Sequence, residues 1–558
     1  MPDNKFTIKI QSILGGESAY SHLAREDQYL GSLGIDPSLA ATDDAYAGGG
    51  TNMLQSSGLI RPVAMYGADS SIAAAPLWTL TNPKDANVYV YSSNGSVYGG
   101  GFSSKTPLGD LTDGGDASGN GAAYYDNYMY FSRDTTVARY GPLNGTAAFT
   151  DDYWVSGLTM TALTHTTYPT DFWLGENFPN HVLHRHSDGR LYIADVIGNQ
   201  GAIHFIETAK TTEEGDTDSG STYDAVHVGY GLWPTALESL GSDLAIALYE
   251  GISSSASTQH TAKLAFWDTT SSNVNKITWV EFPDPVITAL KNINGVLYVF
   301  SGSFNSSGIR ISRFIGGYSF EQVAYLENAS SVWPGAVDNG AGRILFGTFL
   351  YNQLTTNATL NGATSGFGLG VVMSLGLQGK GLGGIYTVAR LSDSTASFDG
   401  SVIAGVPFSL VRQVHQDFLK FDQPYVSWSG GVGYGKNGFE VPINGINSAP
   451  TDYSKSPAVY WSQIFKTGRA KITRIRIPFI QKIVDGMSVI PKLYGDDLGV
   501  VRELRPINWT NDPNKRSAVI YVDGFVVENN FWLELKFTGT SLSTIQFPII
   551  IEGEPLED

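Results

Sequence analysis

Four stretches of this chain repeat one phrase at a nearly constant interval, and that regularity restricts the fold more than any other feature. They are anchored at Pro179, Pro234, Pro285 and Pro334, so the prolines step by 55, 51 and 49 residues. Two of the four carry a tryptophan just before the proline, Trp233 and Trp333. In each, the proline opens an extended apolar stretch, a polar or glycine turn follows (Asp188-Gly189, Gly241 to Asp243, Asn294-Gly295, Asn339-Gly340), and a second apolar stretch returns. This is how a hairpin within a sheet is written. Weaker copies lie at Asn87 to Tyr98, Tyr124 to Ser132 and Ala396 to Ala404, which makes six or seven units between residues 55 and 415.

A unit of about 50 residues holding about four strands is the length of a β-propeller blade, in which each sheet buries its faces on its neighbours and the ring closes on itself. Pro179, Trp233, Pro234, Pro285, Trp333 and Pro334 are accordingly assigned architectural roles. Composition agrees, with 64 Gly and 12% aromatic residues, a profile of short strands and tight turns that excludes helical repeats. A pair of β-sandwiches is the main competitor, and near-constant spacing favours radial repetition. The predicted fold class is therefore all-β, a β-propeller of six or seven blades followed by a C-terminal β-sandwich.

Residues 1–54 read as an N-terminal arm, with a short strand around Phe6 to Leu14 leading towards Gly48-Gly49-Gly50. Residues 55–415 read as the propeller. From about 420 the repeat ends, and residues 420–558 read as a separate sandwich or platform domain built from new strands near Ala470, Ser488, Ser517, Phe531 and Thr544. The strand from Ala470 alternates polar and apolar residues at period two with one slip before Ile475, which suits a sheet buried on one face.

The formal charge of −18, from 35 Lys and Arg against 53 Asp and Glu, has the wrong sign for stable nucleic-acid binding, although it suits a wall past which DNA must move without sticking. With no cysteine, disulfides, thiolate metal sites and Cys nucleophiles are excluded. The polar start Met1 to Lys5 and the lack of an apolar run of about 18 residues predict neither a secretory leader nor a membrane span.

Few motifs point to chemistry. His181, His184 and His186, near Asp188 and Asp195, form the densest set of metal-ligand types, but a strand would place His184 and His186 on one face and His181 on the other. The acidic loops Asp110 to Asp116 and Glu213 to Asp218 lack the position rule of a calcium loop. Ser187-Asp188-Gly189 lacks the spacing of sialidase-like turns, and Gly99-Gly100-Gly101 has no phosphate-loop lysine. Trp78, Trp154, Trp173, Trp233, Trp267, Trp279 and Trp333 read as blade core before sugar platforms. The expectation is no enzyme, no cofactor and no metal.

Three phrases carry a family resemblance. Ile8 to Ser18, with Gly15-Gly16, and Gln55 to Pro62, with Gly58-Leu59-Ile60-Arg61-Pro62, resemble the opening of tail-nozzle (tail tubular) proteins of short-tailed bacteriophages, where such phrases precede a β-propeller. Trp461 to Gly468 is similar to a strand that opens a platform domain in phage tail proteins. The resemblance implies a structural virion protein in the phage tail, made in the host cytoplasm, assembling by cyclic symmetry as a homo-oligomer and packing on other virion and tail proteins. A receptor- or glycan-binding adhesin is the alternative reading, ahead of a polysaccharide-degrading propeller enzyme.

Overall fold

In the computed structural model, the described residues are 5–10, 16–17, 46–66, 76–110, 121–154, 182–207, 221–250, 261–302, 308–351, 368–376, 385–391, 411–434 and 458–556, apart from short breaks. They contain strands and turns only. Six sheets repeat one antiparallel meander in which strands follow in chain order. Blade 1 is Pro76–Thr81, Val88–Ser92, Ser96–Gly101 and Ser104–Asp110; blade 2 is Ala122–Tyr125, Tyr128–Ser132, Val137–Gly141 and Ala148–Trp154. Blade 3 is Leu183–Arg185, Leu191–Ile197, Gln200–Ile206 and Ser221–Tyr230; blade 4 is Leu232–Leu240, Asp243–Glu250, Lys263–Trp267 and Thr278–Glu281. Blade 5 is Val286–Ile293, Val296–Gly302, Ile309–Gly316 and Ser319–Leu326; blade 6 is Val337–Gly340, Arg343–Tyr351, Gly368–Gly376 and Ile385–Leu391. Blade 7 has three described strands, Val411–Gln416, Pro424–Trp428 and Gly431–Tyr434.

The first strand of each blade touches the first strand of the next, and Val411–Gln416 touches Pro76–Thr81, so the ring closes on seven blades. Its cores lie between blades rather than within them. Trp78, Tyr91, Met129 and Phe131 join blades 1 and 2; Tyr125, Tyr130, Leu183 and Ile193 join 2 and 3; Tyr192, Leu237, Leu248 and Trp267 join 3 and 4; Phe266, Ile287 and Val299 join 4 and 5. Ring against ring fills these gaps, as where Tyr91 stacks on Phe131 at 4.9 Å. The backbone approaches closely as well. A Cβ on Gly201 would collide with the carbonyl oxygen of Leu232 in the next blade.

The repeat phrase has a local cause. Asn294 and Gly295 both take positive φ, +54° and +83°, the conformation a two-residue hairpin turn demands. The first strands of blades 1, 4 and 5 each bulge near their start, at Pro76/Trp78, Pro234/Ala236 and Ile287/Ala289. In blade 4 the proline has no N–H for the ladder, and the residue after it, Thr235, donates its hydroxyl to the carbonyl oxygen of Ile287 in blade 5 at 2.6 Å. Trp233 and Trp333 are both buried, at 5% and 4% exposure, yet they are not equivalent in register. Trp233 lies inside its strand and Trp333 four residues ahead of the strand at Val337. Pro285 immediately precedes its strand, Pro334 sits in a turn, and Pro179 falls outside the described residues. The Asn87 to Tyr98 copy is one strand out of phase, matching the second and third strands of blade 1, and Ala396 to Ala404 lies outside the described residues.

The boundaries expected from the sequence shift at both ends. Propeller strands run from Met65 to Tyr434, because Met65–Tyr66 pairs in parallel with Ile385–Leu391 at the outer edge of blade 6 and blade 7 completes after residue 415. The expected arm is not a separate element, since its strands build the C-terminal sheets. Phe6–Ile10 pairs antiparallel with Ile549–Pro555, Gly49–Thr51 with Ala458–Trp461, and Leu59–Pro62 with Ile545–Gln546. One sheet is ordered Phe6–Ile10, Ile549–Pro555, Ala470–Pro478, Ser517–Val527. The facing sheet runs Val500–Glu503, Ser488–Gly495, Asn530–Phe537, Ala458–Trp461, Gly49–Thr51. Gly553 leaves room for the Phe6 ring, which lies where a Cβ would be. The alternation slip before Ile475 is a β-bulge between Ile472 and Arg474, after which Ile475 and Ile477 return to the core.

Candidate functional site

Among the described residues, a polar belt crosses the first strands of blades 3 to 6. His184 comes from Leu183–Arg185, Glu238 and Ser239 from Leu232–Leu240, Lys291 and Asn292 from Val286–Ile293, and Asp338 from Val337–Gly340. His184 Nε2 lies 2.8 Å from Ser239 Oγ and 3.9 Å from Glu238 Oε1. The Asn292 side-chain amide donates to the Ser239 carbonyl at 2.6 Å, and Lys291 Nζ lies 2.9 Å from Asp338 Oδ1. Each contact joins one blade to the next.

Burial sets the charge states. It pushes the His184 imidazole down to about 3, with the Lys291 ammonium adding to the effect, so the ring is neutral at ordinary pH and its bond to Ser239 is one between neutral groups. Burial raises the Glu238 carboxyl, opposed by Lys291 and by the backbone N–H groups of Ser239 and Asn292. Burial also works against the Lys291 charge, but Asp338 and Glu238 outweigh it and hold the amine above its ordinary value. The belt thus places a neutral imidazole and a carboxyl raised by burial beside the Lys291 ammonium, which pairs with Asp338. These side chains are 13–26% exposed, so they meet solvent only at the edge of the ring interior.

Of the histidines singled out by the sequence, His181 lies outside the described residues, and His184 and His186 do not converge on a common point. His186 Nε2 is 3.1 Å from the Asp243 carbonyl oxygen of blade 4, and its Nδ1 accepts the Asp188 N–H at 3.2 Å. Ser187 Oγ donates to the Gly241 carbonyl oxygen at 2.8 Å, so this turn also ties blade 3 to blade 4. Burial works against ionised Asp188, yet the hydroxyl of Tyr192 at 2.6 Å and the Arg190 N–H at 3.0 Å hold its carboxyl below the usual range. Asp195 instead pairs with His204 at 3.2 Å inside blade 3, both fully buried. Among the described residues no group of three His, Asp or Glu is placed to hold a metal ion. The loops of Asp113 to Asp116 and Glu213 to Asp218 lie outside the described residues.

Trp78, Trp233, Trp267 and Trp333 are core, while Trp279 is 43% exposed on the outer strand of blade 4; the side chains of Trp154 and Trp173 are outside the described set. Sequence reasoning missed Glu238, Lys291 and Asp338. The signal was present, because His184, Glu238, Lys291 and Asp338 stand four to six residues after the four repeat prolines. Reading the repeat by column would have exposed a polar position in an otherwise apolar strand.

No protein-family description and no curated protein matches the chain. Among solved structures it is similar to the extracellular domain of a protein described as a one-component system from B. thetaiotaomicron, at 10% identity and TM-score 0.40, covering 88% of this chain and 61% of that one. It is also similar to the Swd1 β-propeller domain of Myceliophteria thermophila, at 9% identity and TM-score 0.38 over 67% of this chain and 98% of that one. U3-55K is matched at 9% identity and TM-score 0.38, over 66% of this chain and 90% of that one. The chain spans 61% of the length of the first of these structures, and the seven-bladed ring itself rests on the strand pairing described above.

Proposed function

We propose that the chain is a structural component of a tailed-bacteriophage tail, of the nozzle-like kind, which assembles by cyclic symmetry and acts through its contacts with other tail proteins. The observation that carries this reading is where the three resembling phrases sit. Leu59–Pro62 is clamped to Ile545–Gln546 with Ile60 in the sandwich core. In the third phrase Ser462 bonds Leu533 in both directions, the Trp461 indole donates to Glu534 at 2.9 Å, and Phe465 packs on Phe531 at 5.5 Å. These phrases are the joints by which both ends of the chain build one platform on a closed ring, a role in rigidity and assembly. The belt supports the same reading, since each of its polar groups is engaged with the neighbouring blade.

Immunogold electron microscopy of a lysate of producing cells tests this. Gold fixed at one site on phage-like particles is the expected result, and gold confined to free protein or cell envelope would overturn it. A second reading, a glycan-binding adhesin, draws on the exposed ring of Trp279. It predicts saturable binding to host polysaccharide that Trp279→Ala abolishes.

A further inference from the structure

The net charge is divided unevenly. Residues 451–558 carry 13 Lys and Arg and 13 Asp and Glu, so the whole formal charge of −18 resides on residues 1–450. Within the neutral sandwich the cations are not spread evenly. Residues 474–484 and 505–521 hold Arg474, Arg476, Lys482, Arg505, Lys515 and Arg516 against a single acid, Asp512.

These two stretches lie side by side. Arg474 is the cross-strand partner of Tyr521, and Arg476 Nε donates to Ser517 Oγ at 3.1 Å. Beyond the strands the pairing continues, with the N–H groups of Phe479 and Ile483 donating to the carbonyl oxygens of Arg516 and Lys515, each at 2.8 Å. Asp512 is fully buried and already engaged by Arg505 at 2.6 Å and Lys515 at 3.0 Å, while Arg474 pairs with Glu552. Arg476, Lys482 and Arg516 are exposed and have no carboxylate partner among the described residues. The same strip carries Ile480, Val484 and Tyr521, exposed by 44%, 44% and 78%, and its loop carries Trp509, exposed by 39%. Cations interleaved with exposed rings and aliphatic groups make a surface suited to an acidic, partly apolar partner.

Such a partner is present in the chain itself. Outer strands of blades 3 to 5 expose Tyr230, Trp279 and Tyr325, and the turn before the last of them exposes Tyr318. These strands carry Glu281 and Glu321 and no Lys or Arg, Glu321 being paired with Arg313 of the adjacent strand, and they belong to residues 1–450, which hold the whole net negative charge. We infer that the basic strip of the sandwich, centred on Arg476, Lys482 and Arg516, docks on the acidic propeller rim of a second copy. This rests on the self-assembling role proposed above and names its interface. Because the two surfaces differ, the contact is head-to-tail, which repeats around a ring until it closes. Opposite local charge at the two surfaces steers the copies together and disfavours strip-to-strip contact, where cations would face cations.

The test compares the full-length wild type with R476E/K482E/R516E by sedimentation velocity across a concentration series, with thermal unfolding to establish that the variant is folded. Three reversals at exposed sites are expected to raise the concentration for half-assembly by about 100-fold or more, and raised salt should weaken wild-type assembly in the same direction. R476K/K482R/R516K, which keeps the charges, is expected to assemble like the wild type. A folded reversal variant that assembles as readily as the wild type would overturn this interface and leave the tail reading standing, because immunogold decides that reading separately. A wild type that stays monomeric at every concentration while its strip binds labelled oligodeoxythymidine or phosphatidylglycerol vesicles would also overturn it, in favour of a nucleic-acid or lipid partner.

Discussion

The propeller and the sandwich are both all-β, yet they hold together in different ways. The sandwich has one continuous core of 27 buried side chains, drawn from strands as far apart in sequence as Ile10 and Ile551. Among the described residues the propeller has smaller cores, such as one of 15 side chains shared by blades 3 and 4 and one of 11 shared by blades 4 and 5. A blade therefore depends on its two neighbours, and the ring gains cooperativity by closing, whereas the sandwich depends on one packing event that recruits both chain ends. Charge is divided as well, since residues 451–558 balance their acids and bases while residues 1–450 carry the whole formal charge of −18. Polar joints such as the belt tie blade to blade in the ring, whereas the buried polar contacts of the sandwich, Ser462 with Leu533 and Asp512 with Arg505 and Lys515, lie within one unit.

The sharpest way to break this contrast is Leu533→Ala. Leu533 is fully buried at the centre of the sandwich, between strands Ser488–Gly495 and Ala458–Trp461. Removing three carbons from such a site costs about 3 to 4 kcal/mol. Calorimetry should show a sandwich transition lowered by about 10 °C and a propeller transition in place. A uniform downward shift of both would mean that the two regions share one cooperative unit. Lys291→Met aims at the opposite region with a smaller effect. It leaves Asp338 and Glu238 facing each other without their cation, which is expected to cost about 2 kcal/mol, below the range for a fully buried pair because these groups still meet solvent. Only the propeller transition should fall.

The same contrast explains what could be read from the sequence. Blades were legible because a hairpin is local: Asn294-Gly295 and its flanking strands lie within about 15 residues, and the phrase recurs. The bulge in Ala470–Pro478 was legible for the same reason, as a slip in a period of two. The sandwich was legible only in its C-terminal strands. Phe6–Ile10 pairs with a strand more than 500 residues away, and nothing in its own alternation names Ile549–Pro555 as the partner. Register within the repeat was hidden too, since a proline can precede a strand, as Pro285 does, or enter it at a bulge, as Pro234 does. The belt escaped notice because its members are different residue types, and their common position shows only when the repeats are aligned by column.

The smallest expected effect concerns pH, and it separates the two regions without disturbing either core. His184 has a folded-state value of about 3 against an ordinary 6.5, because burial and the Lys291 ammonium both oppose its protonation. Between those values the unfolded chain binds the proton and the folded chain does not, so the contribution of a neutral His184 is complete above about 6.5 and is lost as pH falls towards 3. His184→Gln cannot take up that proton, and its amide can still bond Ser239. At pH 7.5 the variant should match the wild type to within about 1 kcal/mol, the worth of one hydrogen bond. At pH 4.5 the wild-type propeller transition should have dropped further than that of the variant. The sandwich transition should be the same in both proteins at each pH, since no part of that core touches the belt. If the wild type and the variant lose stability equally on acidification, the imidazole is not kept neutral by its place between the blades, and the belt would then be a solvated surface rather than a joint of the ring.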